Sequence, residues 1–174
     1  MKLKGLILIL VLTLTLPLAA LAAGTEDPYY RQWASFKVGS SVSLTGTATE
    51  SQGESSFKQT ITLKEVKGDH LFLQISRVEG AKSTNKSKKV DRFAGNKSKV
   101  ADLGQEEITL AGKRYQCRKY KVTYFYDDGQ EMMAFTYWFH PDIPGAAKIF
   151  AQARDPKSKT TDSVTQTAVS WVKK

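Results

Sequence analysis

Two periodicities divide this chain. Tyr30, Trp33 and Phe36 recur every three residues, so one short helical face carries all three rings. Asp27 offers a side-chain acceptor for an N-cap, Pro28 suits the first helical position, and Gly39 stops the segment. The spacing predicts a helix over 27–36 that lies across a sheet and covers one opening or face. From Val42 onward the period becomes two, the signature of strands with one buried and one wet face.

Val42 and Leu44 alternate with Ser41, Ser43 and Thr45. Phe57, Ile61 and Leu63 alternate with Lys58, Thr60, Thr62 and Lys64, and Gly68-Asp69 makes a tight connection to Leu71, Leu73 and Ile75. Residues 79–104 interrupt the pattern. They are rich in Lys, Ser, Asn and Gly, with N-K-S-K at Asn85 and again at Asn96, and their only apolar piece is Val90 to Phe93. This composition predicts a long excursion, an exposed basic loop over 81–104 with one short edge strand.

Alternation resumes at Glu106 to Leu110, and Ala111-Gly112-Lys113 turns the chain into a long strand, Arg114 to Tyr126. Asp127-Asp128-Gly129 is a hairpin signal leading to a return strand, Gln130 to Phe139. Pro141 to Gly145 forms the next turn, and strands Ala146 to Ala153 and Thr160 to Trp171 complete the chain. Tyr115 and Cys117 have one parity; Tyr120, Val122, Tyr124 and Tyr126 have the other. A β-bulge near Arg118-Lys119 would reconcile them and bend the sheet. The expected fold is mainly β: a curved antiparallel sheet, half-barrel or barrel, of eight or nine strands in up-and-down order with a short N-terminal helix. No βαβ alternation points to a parallel sheet.

The first 22 residues carry a different message. Lys2 and Lys4 precede an uncharged, mostly apolar run from Gly5 to Leu18, and Ala20-Leu21-Ala22 follows as an A-x-A-type cleavage site. That order predicts a secretory signal peptide over 1–22, cleaved near Ala22. The expected product is a single secreted or periplasmic β domain over 23–174. A lipid anchor would need a cysteine at the cleavage point, and the only cysteine is Cys117. No second apolar run of membrane length occurs, so no stable membrane insertion is expected.

The net charge of +9 falls to +7 once Lys2 and Lys4 leave. Residues 81–100 hold Lys82, Lys86, Lys88, Lys89, Arg92, Lys97 and Lys99 against Asp91 alone, so most of the basicity is local. These seven are the candidate anion-binding residues, facing anionic polymer or membrane surface. The bland alternative is a solvated segment whose lysines block edge-to-edge aggregation. Phe93 is the segment's lone aromatic, which argues against stacking on single-stranded nucleic acid; no nucleic-acid partner is expected.

The stretch 106–150 resembles an uncharacterised type of secreted bacterial β-rich protein. The likeness rests on Trp33 with Lys37-Val38-Gly39-Ser40, Glu107 to Lys113, Tyr115-x-Cys117-x-x-Tyr120, Trp138 and Pro144-Gly145. The strand order also resembles the LolA-like half-barrels, which carry lipoproteins or lipids in a concave apolar cavity. That second resemblance is one of topology and compartment, and fold does not by itself transfer function.

The sequence holds no G-x-S-x-G, H-E-x-x-H or P-loop motif. His70 and His140 stand apart from any Cys/His/carboxylate spacing that would hold a metal. Cys117 reads as a small apolar residue under the sheet. Neither an enzyme nor a bound cofactor or metal is expected. The aromatic hairpin, Tyr115 to Phe139, either packs as core or lines a ligand cavity. The candidate ligand-binding residues are Trp33, Phe36, Tyr124, Tyr126, Met132 and Trp138. The functional expectation is an exported binding module that carries a lipid or other apolar ligand in a concave sheet. The alternative is an envelope interaction protein that uses the Lys-rich segment.

Overall fold

A computed structural model describes residues 24–50, 53–154 and 161–174; the expected signal peptide lies outside the described residues. One short helix, α1 (Pro28–Ala34), precedes nine strands: β1 (Ser41–Glu50), β2 (Gly53–Val66), β3 (His70–Glu79), β4 (Lys82–Asp91), β5 (Ser98–Leu110), β6 (Lys113–Phe125), β7 (Glu131–Phe139), β8 (Lys148–Arg154) and β9 (Thr161–Val172). All pairings are antiparallel, in the order β4-β3-β2-β1-β9-β8-β7-β6-β5. The fold is therefore mainly β, a single open half-barrel sheet with β4 and β5 as its edges. Up-and-down order holds within β1–β4 and within β5–β9. The β9–β1 pairing joins these two meanders, so the last strand sits at the centre of the sheet.

Helix α1 forms as its residues dictate. Asp27 accepts a hydrogen bond from the Tyr29 N–H at 2.7 Å, and Pro28 follows as the first helical residue. Seven residues are too few to be stable alone, so tertiary burial holds the helix in place. Tyr29, Tyr30 and Trp33 are buried, and Phe36 just beyond the helix is buried too. They pack with Val42, Leu44, Ile61, Leu63, Leu71 and Leu73 in one core, which continues through Val122, Tyr137, Phe139 and Ile149. These residues come from strands at both ends of the sheet order, so the sheet curls round the helix. Inward-facing glycine and aromatic residues interlock along it. Phe57 lies over Gly46, its cross-strand neighbour, where a Cβ would fall 2.4 Å from the ring.

Residues 81–104 differ from the exposed loop expected of them. Most of this segment is β4, a full ten-residue edge strand paired with β3, followed by the start of β5. Backbone pairing requires no apolar side chains on an edge strand, so a Lys/Ser/Asn sequence with one buried residue, Val90, still forms one. The remaining link, 92–97, crosses the helix N-terminus. Asp27 N–H donates to the Arg92 carbonyl at 2.8 Å and Ala94 N–H to Thr25 at 2.9 Å.

The expected bulge lies on the partner strand. The register slips between Asp102 and Gln105 of β5, opposite Tyr120 and Arg118 of β6, and Gly104 takes a φ of 82° there. Strand β6 itself alternates without interruption. Tyr120, Val122 and Tyr124 therefore face the helix side, while Tyr115 and Cys117 face the other way, and Cys117 is nevertheless fully buried.

Candidate functional site

A cavity of about 220 Å³ opens where α1, β4, the 93–95 link, β6 and β7 meet. Its walls include Tyr29, Val90, Phe93, Tyr124, Phe135 and Tyr137. Strand alternation explains the grouping. Phe135, Tyr137 and Phe139 share one face of β7, and their rings follow one another at 5.8 Å and 5.5 Å with interplanar angles of 4° and 17°. Tyr29 of the helix stacks on Tyr137 at 5.2 Å, and Tyr124 meets Phe135 edge-on at 6.0 Å.

The polar side chains of this wall are three phenols and four charged residues, Asp27, Lys88, Lys89 and Asp91. Burial pushes the Tyr29 hydroxyl up to about 12, and burial holds Tyr137 well above and Tyr124 above the ordinary tyrosine value. All three remain protonated at neutral pH. The Asp27 carboxyl is also raised, chiefly by burial, against the opposing pull of the Tyr29 and Tyr30 backbone N–H groups and of Lys88. The Lys88 ammonium lies 5.9 Å from the centre of the Tyr29 ring.

A larger hollow, about 580 Å³, is bordered by β1, β2, β9 and the end of β3. It is lined by hydroxyls of Thr45, Thr47, Ser56, Thr165 and Thr167, which alternation places on the face away from the helix. Phe57, Lys58 and Val78 also line it, and it is the more open of the two hollows. The smaller cavity is more enclosed and gathers five aromatic rings, and it is the stronger candidate for ligand capture.

The expected ligand residues separate in space. Tyr124 lines the cavity. Trp33 is fully buried and Phe36 nearly so, both in the core under the helix. Met132 is the unpaired residue where Tyr124 pairs with Met133 and Phe125 with Glu131. Tyr126 closes the hairpin, its N–H donating to the Gln130 carbonyl at 2.8 Å. Trp138 faces away from Tyr137, between its cross-strand neighbours Lys119 and Lys148, whose ammonium groups each stand 4.8 Å from its ring. Tyr29, Phe135 and Tyr137 join Tyr124 instead. The i, i+2 spacing of Phe135 and Tyr137 was a readable sign that they share a face; the approach of Tyr29 was not, because it depends on how the helix docks.

The basic residues also divide. Lys89 pairs with Asp91 at 2.7 Å, Arg92 with Glu26 at 2.9 Å, and Lys97 with Asp127. Lys88 and Lys89 border the cavity, Lys82 and Lys86 lie further along β4, and Lys99 is on the opposite edge strand. Among the described residues, no group of three or more His, Cys, Asp or Glu could hold a metal ion, and no helix is long and apolar enough to cross a membrane.

No family model matches the chain, and no curated protein matches it. Several solved structures are similar to it, two of which follow. One is an outer membrane lipoprotein-sorting protein domain from Vibrio parahaemolyticus, 9% identical over 83% of this chain and 89% of that one, with a TM-score of 0.45. The other is a DUF1329 family protein from Desulfovibrio piger, 10% identical over 79% of this chain and 87% of that one, with a TM-score of 0.26. With both TM-scores below 0.5, neither likeness bears on ligand or function.

Proposed function

We propose that the chain is an exported binding module that takes up an apolar group, such as part of a lipid or acyl chain, in the cavity between α1, β4, β6 and β7. The observation that carries this reading is the aromatic lining of that cavity, with Tyr29, Phe93, Tyr124, Phe135 and Tyr137 around about 220 Å³. A dry engineered cavity of roughly 150 Å³ suffices to bind benzene, so this one has room for a comparable apolar fragment. Trp33 of the helix and Phe36 just beyond it are buried in the core beside the cavity, which limits how much of a ligand can enter. Export is supported by the signal-peptide pattern over 1–22.

The reading is a carrier rather than an enzyme. Burial raises the Cys117 thiol to about 11, leaving it protonated and a poor nucleophile. His70 is tied to Asp69 at 2.7 Å, and His140 packs edge-on against Tyr115.

The test is titration of delipidated protein with the neutral dye N-phenyl-1-naphthylamine. Dye emission should rise on binding to the native chain. Ala94→Trp, which places a ring against the cavity, should abolish the rise while the far-UV circular dichroism stays native. A native protein that leaves the dye dark would overturn the reading, as would an Ala94→Trp variant that is natively folded and binds the dye undiminished.

A further inference from the structure

The register of β4 turns three of its four lysines towards the concave side. Val90 pairs with Leu71, Lys88 with Leu73, Lys86 with Ile75 and Lys82 with Glu79. Leu71 and Leu73 are fully buried on the helix side, so their cross-strand partners Val90, Lys88 and Lys86 share that face. Lys89 and Asp91 have the opposite parity and pair with each other. Edge strand β4 thus presents a rim of ammonium groups beside the aromatic cavity.

The lysines of that rim are uncompensated. Among the described residues, neither Lys86 nor Lys88 forms an ion pair, whereas Lys89, Arg92 and Lys97 each do. Of the two carboxylates on the cavity wall, Asp91 is paired with Lys89 at 2.7 Å, and Asp27 is engaged by the Tyr29 N–H at 2.7 Å. It draws on Lys88 only through space. A cation over an aromatic ring and beside an apolar hollow, without a counter-ion of its own, is a complementary partner for an anion tethered to an apolar chain.

We propose that the ligand is a single-chain amphiphile with an anionic head: the chain enters among Tyr29, Tyr124, Phe135 and Tyr137, and Lys88, supported by Lys86, holds the head at the rim. This inference rests on the cavity reading above and adds the chemical class of the ligand. It unites the apolar hollow and the basic segment, which sequence alone presents as competing explanations. It also gives the inward-facing lysines a task beyond shielding an edge strand from aggregation.

Calorimetric titration with octanoate and with octanol separates the head from the chain. The native protein should bind octanoate about fivefold more tightly than octanol, the ratio that an ion pair of about 1 kcal/mol supplies. Lys88→Ser should erase that ratio and leave octanol binding unchanged; Lys86→Ser should reduce it, and Lys99→Ser on the far edge should preserve it. Raising the salt concentration should lower the octanoate affinity alone. Equal native affinities for octanoate and octanol would overturn the head-group inference and leave the carrier reading standing. A ratio preserved in the Lys86→Ser/Lys88→Ser double variant would also overturn it. Binding of neither probe would overturn both.

Discussion

Gly145→Ala tests how the helix is seated. Gly145 has a φ of 68°, and a Cβ there would fall 2.6 Å from Cζ2, 2.7 Å from Cε2 and 2.8 Å from Nε1 of Trp33. Trp33 is fully buried, and Gln32 beside it donates to the carbonyls of His140 and Ile143 at 2.8 Å and 2.9 Å, so the helix cannot retreat freely. The left-handed backbone alone costs a non-glycine residue about 1–2 kcal/mol. Overpacking against the indole adds about 1–3 kcal/mol. A total near 3 kcal/mol, with a urea slope of about 2 kcal/mol per molar, lowers the unfolding midpoint by about 1.5 M. Urea titration followed by far-UV circular dichroism measures it. The steric share can be isolated, because all three clashing atoms lie beyond the Cδ positions at which a leucine side chain ends. In a Trp33→Leu background, Gly145→Ala should cost only the backbone share, giving a favourable coupling of about 1–3 kcal/mol in the double-mutant cycle. A midpoint shift below about 0.5 M, or strictly additive substitutions, would refute the seating described here.

Two further outcomes follow from buried titratable groups. Burial raises the Asp27 carboxyl above its ordinary value of 3.8, so between that value and the raised one the folded state binds the proton more strongly and stability falls as pH rises. Asp27→Asn keeps the acceptor for the Tyr29 N–H and should flatten this part of the pH profile, whereas Asp27→Ala removes the cap and should lose about 1 kcal/mol at pH 7; thermal melts of the three proteins between pH 3 and pH 8 decide, and an Asn variant no better than the Ala variant sinks the argument. Cys117 is fully buried with its thiol raised to about 11, so iodoacetamide at pH 8 should leave it unlabelled in the native protein and modify it readily in urea; rapid native labelling would show that the thiol is reachable.

The strands were legible because each alternation is a local property. Val42–Leu44, Ile61–Leu63 and Leu71–Leu73 announce their buried faces without reference to any neighbour, and all six are core residues. Asp27 and Pro28 likewise mark the helix start through contacts within two residues. Strand β4 was hidden because its pairing rests on backbone groups shared with β3, which leave almost no mark on the side chains of an edge. The bulge was legible as a parity conflict, but not its strand, because either member of a pair can carry the extra residue.

The site followed the same division. The aromatic hairpin was visible as a run of rings, yet Trp138 and Tyr137, adjacent in sequence, face opposite sides, one between two lysines and the other in the cavity wall. Sequence by itself determined the strand periodicity, the helix cap, the lone cysteine and the concentration of lysines near residue 90, since each depends only on neighbouring residues. Tertiary structure alone decided that β9 pairs with β1, that the helix packs into the core of the concave face, and that Tyr29, Tyr124, Tyr137 and Lys88 converge on one cavity. Those outcomes depend on pairing and packing between residues more than a hundred positions apart, and no local pattern encodes which distant strands will meet.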